Sequence, residues 1–278
     1  MKKVFSFFAL FAMWAGTLFL GGCSVVGVGQ TASRDFIVGD FSSVNVSGSF
    51  SVEFSYAEEA SVEIVMQENL FVFLDVTVTG GTLYVNPLRS FQTLPANRPR
   101  LYIQAPSLTG VRLSGSTRFE SLDTIEEESF TLRTSGSSRV FLDLEVDTLS
   151  VTTTGSSTIH LNVDAYNLTI NSSGSSNMDI DMDVINLLLT GSGSARFKFT
   201  GQAFNANFET SGSSRIDAFF LATRDSDINI SGSGRIYIYV SNNLNVRARG
   251  SSGVRYMGNP QVTSNTRGSS SIQRYNPH

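Results

Sequence analysis

The sequence is poor in the residues that most site chemistry requires. Its 278 residues hold one cysteine, Cys23, and two histidines, His160 and His278. A single cysteine excludes an intrachain disulfide and any metal site built from several thiolates. Two histidines so far apart, one of them the last residue, leave a serine nucleophile without an evident base held by a third group. Trp14 is the only tryptophan, which removes the strongest sugar-stacking side chain from everything after the first segment. Charged residues make up 16% of the chain and the net charge is −4. That balance argues against binding a phosphate backbone, which needs a strong basic surface. After residue 22 no stretch is long and apolar enough for a membrane-spanning helix. No cofactor motif and no metal-ligand spacing are present.

What the sequence has in abundance is glycine between serines. Ser135-Gly136-Ser137-Ser138 recurs as Ser173-Gly174-Ser175-Ser176 and Ser211-Gly212-Ser213-Ser214. Looser copies centre on Gly115, Gly155, Gly193, Gly232, Gly250 and Gly268, so that successive glycines are 21, 19, 19, 19, 19, 20, 18 and 18 residues apart. A period near twenty identifies a stacked-repeat architecture. Within each repeat the positions six and four before the glycine are mostly apolar, as are those four, six and eight after it. Leu168 and Ile170 precede Gly174, and Met178, Ile180 and Met182 follow it. Spacing of two means strand, with one face buried and one wet. Each repeat therefore reads as two short strands joined by a Gly-Ser corner, forming one coil of a parallel β-helix that only its neighbours can cover. Glycine is expected where the corner needs a backbone conformation forbidden to a Cβ, and the serine hydroxyls are expected to serve corner backbone groups. Coils about 4.8 Å apart would build a rod roughly 40 Å long.

The first 22 residues lie outside this pattern. Lys2 and Lys3 precede the apolar run 4–20, and Leu20-Gly21-Gly22-Cys23 follows with small residues before cysteine. This reads as a secretory signal whose ending resembles the bacterial lipobox. That resemblance implies cleavage before Cys23 and lipidation of Cys23; an uncleaved anchor is the alternative. Residues 23–34 are small, polar and aperiodic and read as a tether. Residues 35–110 read as a strand-rich cap with the first coil, because Val44 and Val46 precede Gly48 while Val52 and Phe54 follow it in the same register. The pair Gly80-Gly81 between alternating runs predicts a hairpin, and Pro87, Pro95 and Pro99 mark a loop. Residues 111–278 are the regular coils, the last of them weakly apolar and suited to capping.

With these residues in view the chain resembles the bacterial head GIN domain proteins, described as autotransporter adhesins. The resemblance rests on Phe41-x-x-Val44-x-Val46-x-Gly48-Ser49, the Gly80-Gly81-Thr82-Leu83 hairpin, Ala105-Pro106-Ser107-Leu108 ahead of Leu113-Ser114-Gly115-Ser116, and the repeated Ser-Gly-Ser corners. It implies an all-β, right-handed parallel β-helix, export, often as a lipoprotein, and no catalytic residues to carry over.

Three surface features are candidates for function. Arg118, Arg139, Arg196, Arg215 and Arg235 all stand three residues after a corner glycine, with Thr158 and Asn177 interrupting the column. They form either a ridge for anionic glycans or pairs with nearby acids. Phe219, Tyr237 and Tyr239, with Phe141 further back, fall at outward positions, with Phe219 expected one coil from Tyr239; such a patch marks self-association or ligand contact. Asp179, Asp181 and Asp183 alternate outward, with Asp143 and Asn162 in the column of Asp181. They constitute either a weak cation site or a charged face that resists aggregation. His160 reads as a solvated surface residue. The expected protein is a non-enzymatic, lipid-anchored envelope protein of the outer membrane, on its periplasmic side or at the cell surface. It would act as an adhesin or scaffold with a glycan or another envelope protein as partner, as a homo-oligomer or alone, and not with nucleic acid. The alternatives are a carbohydrate-binding or carbohydrate-active β-helix and a sensing partner that binds through its cap.

Overall fold

The computed structural model describes residues 24–94 and 97–276. Cys23, the signal segment and His278 lie outside them. The chain is a β-solenoid, mostly strand and almost without helix. Arg139–Gly155, Thr158–Gly174, Asn177–Gly193 and Arg196–Gly212 are each one continuous strand of 17 residues, and each pairs in parallel with the next. The repeat was read as two short strands. The observed coil keeps its register on both sides of the second corner and loses one pairing at it, that of Asp147 with Tyr166, where the side-chain alternation also slips. Val146 is buried, Asp147 and Thr148 both face out, and Leu149 is buried again. Two consecutive outward residues turn the chain within one continuous strand, with no glycine at that corner.

The glycine corner is set by stacking as much as by backbone shape. Gly174 has φ of 112°, and a Cβ there would lie 2.4 Å from the carbonyl oxygen of Gly155. That carbonyl accepts the amide of Ser175 at 2.8 Å, and the same bond links each coil to the one before. The serines two after the glycine do not face water. Ser138, Ser157, Ser176 and Ser214 are buried inside the corner, where Thr153 donates to Ser172 at 3.2 Å and Ser176 to Thr153 at 3.1 Å. Apart from Gln67, Thr223 and Ser226 the remaining interior is apolar, with Ile180, Phe199, Phe208 and Ile238 excluded from solvent.

The cap is more closely related to the rod than its sequence indicated. Ser43–Gly48 and Ser51–Tyr56 lie directly against Gly110–Gly115 and Arg118–Ser121, as the Gly48 register predicted. A further layer lies beneath. Thr82–Pro87 pairs in parallel with Ser43–Gly48, and Arg100–Ala105 with Ser51–Tyr56. The parallel stack then ends in antiparallel strands. Leu74–Thr79 folds onto Thr82–Pro87 through the Gly80-Gly81 hairpin, Ser61–Gln67 covers Arg100–Ala105, and Thr31–Phe36 covers Ser61–Gln67. The 3-10 turn Glu68–Phe73 inserts Leu70 and Phe71 into the open end of the core. The stretch 23–34, read as a tether, instead contains Val25–Val26, paired with Phe91–Gln92, and most of the strand Thr31–Phe36. Val25, Ala32 and Phe36 pack against the core, so order begins before Asp35. At the opposite end Gln261–Gly268 is exposed along its whole length.

Candidate binding surface

Register converts the sequence columns into surfaces. The arginines occupy one column as predicted: Arg118 pairs with Arg139, and Arg196, Arg215 and Arg235 follow one another across successive coils. The column is not uniform. Arg118 bonds Glu120 at 2.7 Å and lies 4.2 Å from the ring centre of Phe141. Arg215 stands 3.8 Å from Asp217 and 4.6 Å from the ring centre of Tyr237. The same three-residue unit thus occurs twice: an arginine, an acid two residues on, and an aromatic at the acid's position in the next coil. It holds the guanidinium over the ring and beside the acid. Arg139, Arg196 and Arg235 are exposed and form no ion pair among the described residues.

Phe141 is thereby a packing partner, and its other face stacks on His160 with ring centres 5.0 Å apart. His160 is half-buried rather than freely solvated. The acids form a separate edge. Glu126, Glu145, Asp164 and Asp183 stack in register. One column over, Asn162 donates to Asp143 at 2.6 Å, and nearby Lys198 bonds Asp179 at 3.1 Å. No cluster of three metal-ligating side chains occurs among the described residues.

The aromatic group differs in detail from its expected arrangement. The coil beginning at Gly212 has one residue more than the coil before it and two more than the coil after it, and pairing with the latter jumps from Ala218 to Ala222. This bulge turns Leu221 inward and leaves Phe220 78% exposed. Phe219 lies beside Tyr237, not Tyr239, with ring centres 5.3 Å apart and edge to face. Its other neighbour is Tyr275, stacked at 5.2 Å. Tyr239 pairs with Ala222 and is exposed. Phe219 and Tyr237 are half-buried supports, while Phe220, Tyr239 and Tyr275 present ring surface to water. The long step from Gly212 to Gly232 was the available signal for Phe220.

The other sheet face is chemically different. Thr148, Ser150, Thr152 and Thr154 are followed in register by Asn167, Thr169, Asn171 and Ser173, then by Asn186, Leu188, Thr190 and Ser192. This grid carries no charge. Its asparagines form a ladder in which Asn186 donates to Asn167 at 3.0 Å and Asn205 to Asn186 at 2.9 Å. The same columns become charged on either side of these coils, with Arg112 and Arg133 before them and Glu209, Asp227 and Arg247 after them.

The family model described as "Putative auto-transporter adhesin, head GIN domain" matches residues 40–170 and 160–260. A structure described as a "putative adhesin" from Parabacteroides merdae superposes with a TM-score of 0.71 at 19% identity, covering 91% of this chain and 99% of that one. A "putative lipid binding protein" from Parabacteroides distasonis gives 0.67 at 24% identity, covering 91% and 100%. A "putative adhesin" from the same organism gives 0.67 at 19%, again covering 91% and 100%. No curated protein matches the chain. None of these descriptions names a catalytic activity, and at such identities the structural likeness establishes the fold alone.

Proposed function

Because the chain belongs to the head GIN domain family of adhesin-described proteins, we propose that it is a non-enzymatic, lipid-anchored envelope protein that binds an anionic glycan or another envelope protein. Its contact surface is the aromatic and arginine surface beside the bulge between Ala218 and Ala222. The observation that carries this reading is the exposure of Phe220 and Tyr239 beside Phe219, which meets Tyr237 edge to face and stacks on Tyr275, with Arg196 and Arg235, without an ion pair among the described residues, in the adjoining column. Aromatic rings that already rest on one another lose little freedom on binding, and free guanidinium groups match carboxylate or phosphate. The two arginines already held by acids and rings serve the sheet.

The variant Phe220→Ser/Tyr239→Ser is expected to keep the wild-type melting temperature within a few degrees, since both side chains are exposed. Binding to an array of envelope glycans and proteins is expected to fall about tenfold or more. Sedimentation of both proteins reads self-association over the same surface. Equal binding and equal sedimentation would remove this surface from the account. The anchor has its own test. Cys23→Ser is expected to move the protein from the membrane to the soluble fraction, because one thiol carries the lipid; unchanged fractionation would contradict the lipobox reading.

A further inference from the structure

Beyond the contact surface near the far coils, the capped end of the rod carries an apolar rim. Val26, Val28, Val72, Leu88 and Leu94 are between 54% and 72% exposed. They lie on segments bound directly to one another. The Val25 amide donates to Ser90 and the Gly27 amide to Gln92, Val28 donates to the Asn69 side chain, which itself donates to the Val26 carbonyl, and Leu88 donates to Phe73. The turn that bears Val72 is the one that plugs the core with Leu70 and Phe71. The rim therefore surrounds the terminal plug of the solenoid. Arg89 and Arg34 border it, lying 5.7 Å and 4.3 Å from the ring centres of Phe73 and Phe71.

We propose that this rim seats in the lipid interface of the membrane that holds the protein, so that the rod is fixed by its capped end with the opposite end, at Gln261–Gly268, directed away. The inference rests on the lipidation of Cys23. Cys23 is two residues before Val25, whose backbone is held on Ser90. Two residues of chain reach at most about 7 Å, so an acylated cysteine leaves the rim no room to stand clear of the bilayer. Apolar side chains enter an interface to a depth of roughly 5–10 Å, which matches that reach. Arginines at the border can lay their stems on the apolar surface while their charge stays among head groups. The lipid supplies attachment. The rim supplies orientation, holding the binding surface of the far coils away from the membrane.

The test uses the full mature protein in phospholipid vesicles, with an environment-sensitive fluorophore on Val72→Cys or, as the distal control, on Thr263→Cys. Cys23 is the only native cysteine and is blocked when acylated. The Val72 probe is expected to be shifted to the blue and quenched by aqueous iodide about fivefold less than the Thr263 probe. Equal quenching at both positions in a protein whose N-terminal peptide has the acylated mass overturns the seating and leaves the anchor standing. An N-terminal peptide with unmodified Cys23 overturns both. Protection of Val72 that disappears when the protein is diluted into excess lipid assigns the rim to a second copy and also overturns the proposal.

Discussion

Ile180→Asp is expected to abolish cooperative folding of the central coils, whereas Asp181→Ala, one residue away, should leave the melting temperature almost unchanged. Ile180 is fully excluded from solvent and stacks in register between Leu161 and Phe199. A carboxylate there has no partner; burying it costs several kcal/mol or forces it to stay protonated. That is comparable to the total stability of an ordinary domain, about 5–15 kcal/mol. Because each coil rests on its neighbours, the loss spreads along the rod. Asp181 faces water in the column of Asn162 and Thr200, where a substitution changes stability by about 0.5 kcal/mol or less. Thermal melts followed by circular dichroism compare the two. Equal transitions would mean that the inward and outward positions are misassigned.

Gly174→Ala is expected to be nearly as damaging, and Gly191→Ala close to neutral. The added Cβ at 174 would lie 2.4 Å from the Gly155 carbonyl oxygen, in a backbone that cannot retreat without opening the ladder. The positive φ adds about 1–3 kcal/mol of strain for a side chain. Gly191 lacks both problems: its φ is ordinary and the nearest atom to a new Cβ is the Thr210 methyl at 3.4 Å. Alanine there also loses less chain entropy on folding than glycine. Chemical denaturation of the two variants separates corner glycines from glycines that are small only by packing. A tolerated Gly174→Ala would show that the corners are looser than the stacking requires.

The coils were legible because they depend on local spacing. The period of the corner glycines and the alternation around them placed Ile180 inside and Asp181 outside, and even joined Gly48 to Gly115 across 67 residues. What was not legible depends on partners distant in the chain. Nothing in Thr82–Pro87 announces that it continues the stack beneath Ser43–Gly48, since its own antiparallel hairpin gives the same alternation. The stretch 23–34 has no periodicity because its strands are short edge pieces that bury Val25 and Ala32 only in part. At the contact surface the arginine column followed from spacing, but its division into held and free members depends on which residue the adjacent coil supplies. The place of Phe220 depends on one inserted residue, which shifts the alternation on one side of Ala218 and leaves the other unchanged.

We propose that the rod binds through the rings and free arginines beside the bulge and leaves its ligand chemically unchanged. The most direct measurement is equilibrium binding of the mature protein to size-fractionated anionic envelope glycans, with the bound and free polymer analysed by mass after prolonged incubation. Saturable binding by the wild type that falls about tenfold or more in Phe220→Ser/Tyr239→Ser, with the polymer recovered unchanged, is expected. Shortened products, or binding that is unchanged in that variant, would contradict this reading.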